Sequence, residues 1–489
     1  MAQISLDRVI SVSILAALKG LANANTSALA IITDEVPISA SYGDYGVYYG
    51  PDAVATDFGS SSDVYGQAVT IFSQNPNILS AGGFLVIIPR NQSASATAAT
   101  ILASGPVNLT KLAATDYKIH LTIDGGTGAD VTIGAIDASS IEAAQTSLNS
   151  AALTTAGAQF VLSGSITSAT VLLKSSTTGA SSALVVGSVS AGTDLATALG
   201  ISGSADGAAA GLETIKDCIL RVYPEVYFFG LLTNVIPTDT ELPAIAALIQ
   251  AIDKMFFFAE YDSAKIDGII TTLKNSGFTN TRAVPRIDTA AKALNYAASY
   301  ASRGLSTVFT GTDTVSTMHL KDLVGVDADP GMTETLLTAC QNAGADVYVN
   351  FGVPKVFTSG ANGYFDAVYI GLALKLALRT AGFNYLAQTN TKIPQTEIGM
   401  NGLKGAYRKV IKQFVTAGAF APGAWNGTTF GDPADFVRNI ADNGFYIFSQ
   451  PIASQTQTVR ASRAAPLVQI ACKSAGAIHS SNVLVFIEP

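Results

Sequence analysis

The chain has 489 residues, 48% of them hydrophobic and only 13% charged, with a formal net charge of −8. That length exceeds one ordinary core, so several domains are expected. The acidic balance excludes a general nucleic-acid binder, which needs Lys and Arg against phosphate, and charge well below the ~25% of ordinary soluble proteins fits a subunit that buries much of its surface in an assembly.

The first predicted element is a strand in the N-terminal residues, Ile4 to Ile14, carrying Ile4, Leu6, Val9, Ile10, Val12 and Ile14. Nothing local can pair with it. The apolar stretch Ile10 to Leu21 contains Lys19 and lacks a basic leader, so it does not read as a signal peptide. Ser27 to Thr33 predicts a buried strand, Asp63 to Gln74 a helix with Val64, Ala68, Ile71 and Phe72 on one face, and Phe84 to Ile88 a strand after Gly82-Gly83.

From about 105 to 212 Ala, Ser, Thr and Gly dominate. Tyr117 to Asp124 and Asp130 to Ile136 alternate about a glycine turn and predict a hairpin. Ser140 to Ala152 reads as a helix; Phe160–Leu162, Ala169–Leu173 and Ala183–Val189 read as strands. The segment is expected to be a β-rich module inserted at the periphery of a host domain. Between 213 and 381 the pattern turns α/β: strands at Val226–Leu232, Met255–Tyr261 and Thr281–Pro285, and helices at Thr240–Lys254, Ser263–Asn275 and Ala290–Arg303. Asp329 and Thr333 are expected to cap a helix running to Gln341. Beyond 382 one helix is clear, Asn401 to Thr416, followed by strands at Gly444–Ser449 and Pro466–Cys472. The chain closes on an apolar strand with Val483, Leu484, Val485, Phe486 and Ile487. The expected fold is therefore a multidomain α+β and α/β protein: an N-terminal arm (1–22), a middle domain in two parts (23–104 and 213–381), the insert (105–212), and a last domain (382–489) with a C-terminal strand arm. Two strands without local partners expose main-chain donors and acceptors, which suits strand addition to another chain.

Chemical motifs are sparse. No run of about 18 apolar residues predicts a membrane-spanning helix. There is no G-x-x-x-x-G-K-[ST], and Gly125-Gly126-Thr127-Gly128 lies between strands rather than ahead of a helix. His120, His319 and His479 share no ligand spacing, and Asp327-Ala328-Asp329 is followed by Pro330 without the further carboxylates of a calcium loop. Cys218, Cys340 and Cys472 are far apart and read as reduced thiols. No catalytic residue, cofactor or metal is expected. One cluster stands out: Lys404, Arg408 and Lys412 at i, i+4 and i+8 form a positive stripe with Lys409 at its edge, opposite Val410, Ile411, Phe414 and Val415. It fits contact with an acidic partner or an ordinary solvated face.

Taken in order, several segments resemble the contractile tail sheath proteins of myovirus-type phages, in the branch that carries a peripheral insertion. The resemblance is carried by Gly50-Pro51-Asp52-Ala53-Val54-Ala55-Thr56-Asp57-Phe58-Gly59 and Gly82-Gly83-Phe84-Leu85-Val86-Ile87-Ile88-Pro89-Arg90. It continues through Leu320 to Val326, Asp329 to Thr335, Gly344 to Gly352, Gly363 to Val368 and Ala475 to Val483. It implies a structural subunit of the virion, assembled in the host cytoplasm, that self-associates as hexameric rings stacked into a helical sheath. The implied partners are a tail tube protein, baseplate and tail terminator proteins, with no direct nucleic acid and no membrane insertion. It further implies terminal arms that complete sheets on neighbours, a basic stripe that faces the tube, and contraction that drives the tube through an envelope. The alternatives are a static capsid or surface-layer lattice, or an α/β enzyme with a carbohydrate-binding insert.

Overall fold

Leu29–Thr33 lies near the middle of a six-stranded sheet and is buried along its whole length. The computed structural model describes residues 25–38, 42–91, 96–112, 116–179, 181–207, 212–389, 391–481 and 483–484. The sheet runs Thr281–Pro285, Met255–Glu260, Gly230–Thr233, Leu29–Thr33, Leu85–Pro89, Gly46–Tyr48. Its first five strands are parallel and the last, short one is antiparallel. Both faces are covered, which is why these strands read as continuous apolar runs (LAIIT, LVIIP, MFFFAE). Alternation along the strands sends Ala30, Ile32, Val86, Ile88, Phe256 and Phe258 to one face. There they meet Ile215, Cys218, Ile245, Ile249, Ile266 and Cys340. On the other face Phe257 packs against Tyr300 and Phe365, at 6.1 and 6.0 Å between ring centroids.

Most predicted elements lie where the pattern puts them. The segment read as one helix over Ser263–Asn275 is broken: a wide turn at Ile266–Ile270 precedes an α-helix at Thr271–Asn275, and Gly268 takes a non-helical ψ of −107°. A residue without Cβ tolerates that break. Asp329 does not cap the following helix. Thr333 does so, accepting from the Leu336 amide, while Asp329 accepts from Ile287 N at 2.7 Å and Gly331 N at 2.8 Å and ties two loops together.

The inserted module has its own core around Leu109, Ile119, Leu148, Phe160, Val171, Leu173, Leu184 and Leu199. Composition starts it at 105, but Thr100–Leu102 already pairs with Ser168–Ser175, so the module begins earlier. Its two connections to the host meet at a neck. Glu213 N donates to Asn91 O at 3.1 Å, and Asn91 N to the Glu213 carboxylate at 3.0 Å. Arg221 grips that carboxylate through two nitrogens, each at 2.8 Å, and Arg90 reaches the Glu213 carbonyl.

The chain divides into two compact units, one holding 25–307 and 316–369, the other 308–315 and 370–489. The division after Tyr369 falls inside a helix, Phe365–Ala387, rather than at the sequence boundary of 381.

Candidate assembly surfaces

Two helices frame the C-terminal unit. Phe365–Ala387 distributes its apolar residues around the whole helix rather than along one stripe, and leaves Phe383 and Leu386 exposed. The second, Glu397–Thr416, starts after Pro394 and is fixed at its first turn by Glu397, which accepts from Ile452 N at 2.7 Å. A reciprocal fit joins the pair. The Tyr385 ring end lies over Gly402, and that of Tyr407 over Gly382; a Cβ at either glycine would collide with it. Glycine weakens a helix by ~1 kcal/mol, and here it admits a tyrosine. Met400, Leu403, Ile411 and Phe414 are buried, with Phe414 stacked on Phe309 at 4.9 Å.

Arg408, Lys409 and Lys412 are exposed and Lys404 is half-buried. Val410 and Val415, expected on the apolar face, are only half-buried, so the buried face centres on Leu403, Ile411 and Phe414. Among the described residues, no ion pair or side-chain hydrogen bond engages any of the four cations. Their setting is basic: residues 370–489 hold eleven Lys and Arg against five Asp and Glu, while the rest of the chain holds seventeen against thirty-one. An acidic protein thus carries one strongly positive unit.

The same unit contains a two-stranded antiparallel sheet, Phe445–Ser449 with Val468–Cys472, joined to no further strand among the described residues. One face is backed by Trp425, Phe430 and Phe436. Phe436 meets Tyr446 edge-on at 5.2 Å and Phe430 at 5.1 Å. A sheet of two strands is marginal by itself, and this one is backed on one face by aromatic packing. After Lys473 the chain leaves it with a single bridge, Phe420 to Ser474, and runs out irregularly. Ile478 is 92% exposed, Val483 80% and Leu484 78%.

Residues 365–487 match the family model described as "E217 tail sheath protein gp31-like, C-terminal domain". The matched span nearly coincides with the compact unit that starts at Ile370. Over that span, about a quarter of the chain, the protein is thus similar to the C-terminal domain of a phage tail sheath protein. No curated protein matches the sequence. A solved structure, the helical sheath of the anti-feeding prophage in its contracted state, is similar over 98% of this chain and 99% of its own, with a TM-score of 0.48 and 10% identity.

The remaining sequence candidates are placed as follows. Ile4, Leu6, Val9, Ile10, Val12 and Ile14, together with Val485, Phe486 and Ile487, lie outside the described residues. Val483 and Leu484 are described, exposed and in no strand. The crevice at the carboxyl ends of a parallel sheet is where nucleotides usually sit, and here the protein's own groups fill it. Glu35 accepts from the amides of Asp63 and Val64, at 2.7 and 3.0 Å, and takes the seat an anion would have at that helix start. Thr33 Oγ1 donates to Asn234 at 2.9 Å across the neighbouring strand end. His120 is held by Asp130 at 2.6 Å within the insert, and His319 is buried against Thr358 at 3.1 Å. The hydrogen bonds from Ser190 and His120 hold the Asp130 carboxyl down to about 2. Cys218 and Cys340 are buried free thiols, and Cys472 is half-buried. Among the described residues no group of three or more His, Cys, Asp or Glu could hold a metal, and no helix is long and apolar enough to cross a membrane.

Sequence reasoning missed two helices of this unit. Phe365–Ala387 escaped because its apolar and polar residues are scattered round the helix and leave no stripe of period 3.6. Pro433–Asn443 was hidden in a glycine-rich stretch, although Asp432 followed by Pro433 is a start signal, and its side chain accepts from Asp435 N at 2.9 Å.

Proposed function

We propose that the protein polymerises through its terminal strands into stacked hexameric rings around a tail tube, and that contraction of this sheath drives the tube through the host envelope. The observation that carries this reading is the two-stranded sheet of the C-terminal unit, which is joined to no further strand among the described residues and is followed by an exposed apolar stretch of chain. An arm from a neighbour adds roughly four to six main-chain hydrogen bonds at about 1 kcal/mol net apiece. Such a mesh keeps subunits linked while rigid bodies rotate between two lattices. The virion component is assembled in the host cytoplasm, nucleated on a baseplate and stopped by a terminator.

The tube contact falls on Lys404, Arg408, Lys409 and Lys412. A sheath must hold its tube and later slide along it. Wet charge pairs are worth about 0–1 kcal/mol each and set register without locking it, so the tube surface facing them is acidic. The alternative of an enzyme with a sugar-binding insert finds little support. Residues 96–207 contain two aromatic side chains, Tyr117 and Phe160, and both are buried, leaving no ring for a sugar to stack on.

Negative-stain microscopy of the purified protein tests the polymer, with tubes of fixed width expected and a small monodisperse particle overturning it. Two lattices of different pitch and diameter separate a contractile sheath from a static one. Co-sedimentation with preformed tubes at low and high salt tests the stripe; binding indifferent to salt returns it to a solvated face.

A further inference from the structure

The chain enters the body at Asn25 through a set of ties that no ligand site explains. Asn25 Nδ2 donates to Gly82 O at 2.6 Å, and Ser27 N donates back to Asn25 Oδ1 at 2.9 Å. Tyr369, 1% exposed, donates its hydroxyl proton to Thr26 O at 3.0 Å. Gly83 lies so close to the Ser27 carbonyl that a Cβ would collide with it. Directly beyond comes Leu29–Thr33, paired in parallel over five residues with Leu85–Pro89 and over four with Gly230–Thr233.

This geometry decides how the sheet answers a pull on the N-terminal side. Tension toward residue 1 draws Leu29–Thr33 along its own axis, while its neighbour Leu85–Pro89 is held from its far end through Arg90. The ladder hydrogen bonds on both sides lie across the load and share it, so they must fail together.

The other end of the chain is built differently. Phe445 pairs with Cys472. Tension on the C-terminal side enters the small sheet at Phe445 and leaves at Cys472, two residues directly opposite each other. From the open end the load meets first the short pairing of 419–421 with 473–475, with Ala421 N on Lys473 O at 3.0 Å and Ala475 N on Ala419 O at 3.1 Å, and then these ladder bonds one pair at a time.

We propose that the root of the N-terminal segment is the load-bearing anchor of the subunit, bolted by Tyr369 and Asn25, and that the C-terminal root is the compliant joint that yields first. In a sheath this makes each link between subunits stiff on one side and extensible on the other. The role assigned to the anchor rests on the reading of both ends as inter-subunit arms, whereas its strength is a property of the isolated subunit.

The experiment is single-molecule pulling on the full chain, with one handle at the exposed turn Gly125-Gly126 of the insert and the other at the N- or the C-terminus. At equal load the N-terminal root should outlast the C-terminal root about tenfold or more, because lifetime under load follows the unfolding rate. Tyr369→Phe keeps the ring that packs on Phe229 and removes the hydroxyl. It should shorten the N-terminal lifetime about fivefold, one buried hydrogen bond's worth, and leave the C-terminal lifetime unchanged. Asn25→Ala should act in the same direction. Equal lifetimes at the two ends overturn the proposal, and so does a Tyr369→Phe effect that is absent or the same for both. Tube formation by the same preparation is scored separately, so failed assembly counts against the arm reading and not against the anchor.

Discussion

The large sheet of the body and the small sheet of the C-terminal unit treat their edges in opposite ways. At one edge of the large sheet Thr281–Pro285 is wholly buried, and its Ala283 carbonyl is capped by the Asp346 amide at 3.0 Å; the other edge is a strand of three residues. Those are devices that stop one sheet from pairing with another. The small sheet has no such cover among the described residues, and Leu467 at its entrance is 77% exposed. Charge divides along the same line, acidic in the body and basic in the last quarter. The body covers its own sheet edges, while the sheet of the C-terminal unit has no such cover among the described residues.

The largest expected effect comes from removing the proposed inter-subunit arms. Deleting 482–489, or 1–14, should leave a folded protein that forms no tubes. Circular dichroism and thermal melting should be unchanged while microscopy shows isolated particles. Normal tubes from either truncation would mean that the open edges are filled by something else.

Next in size is the charge contrast. Reversing Lys404, Arg408 and Lys412 to Glu replaces three weak attractions with three repulsions and should weaken binding to an acidic tube about a hundredfold. Stability should hardly move, because among the described residues no ion pair depends on these side chains. A reversed protein that co-sediments normally would leave the basic unit without this partner.

The contrast between the two units was partly legible from residues alone. The strands of the body announced themselves through continuous apolar runs, and Thr281–Pro285 was placed to the residue. The stripe was legible as spacing, since Glu397–Thr416 is amphipathic. What stayed hidden was hidden for physical reasons. The helix Phe365–Ala387, whose apolar residues do not gather on one face, has no periodic signal. The Glu213–Arg221 neck joins residues that mean nothing until Asn91 is brought beside them. That Glu35 closes the helix start at Asp63 depends on a contact 28 residues away in sequence.

A third test concerns the insert, which by its separate core should be dispensable to both units. Excising 96–207 and closing the neck between Asn91 and Glu213 with a short linker should preserve folding and tube formation. Excising 106–210 instead strands Thr100–Leu102, whose Ile101 is buried in the insert core. That version should be less stable by about 1–3 kcal/mol, the cost of exposing a buried aliphatic side chain. Denaturant melts of the two deletions decide it, and equal stability would mean that Thr100–Leu102 belongs to the host.

The smallest effect lies inside the body, at a buried cation that lies over an aromatic ring. Lys254 is 7% exposed, with its ammonium 4.1 Å from the centre of the Tyr227 ring. Burial pushes its pKa down to about 8, with Asp253 pulling weakly the other way. The unfolded chain holds that proton up to about 10.4. Between those values the unfolded state binds more protons than the folded one, so this residue's contribution to stability rises with pH across that window. Below about 8 the folded protein carries the full cost of a desolvated charge, offset by a cation–π contact of about 0.5–2 kcal/mol. Lys254→Met keeps the volume and removes the charge. At pH 7 it should stabilise the body by about 1 kcal/mol, and that advantage should shrink to nothing or reverse near pH 10, where the wild-type amine is already neutral. Paired urea melts at pH 7 and pH 10 measure the difference directly. A variant destabilised at both values would show that the amine, charged or not, contributes more than its burial costs. In a chain whose exposed cations are concentrated in the other unit, Lys254 would then be a second kind of basic residue, kept for what it does inside the fold.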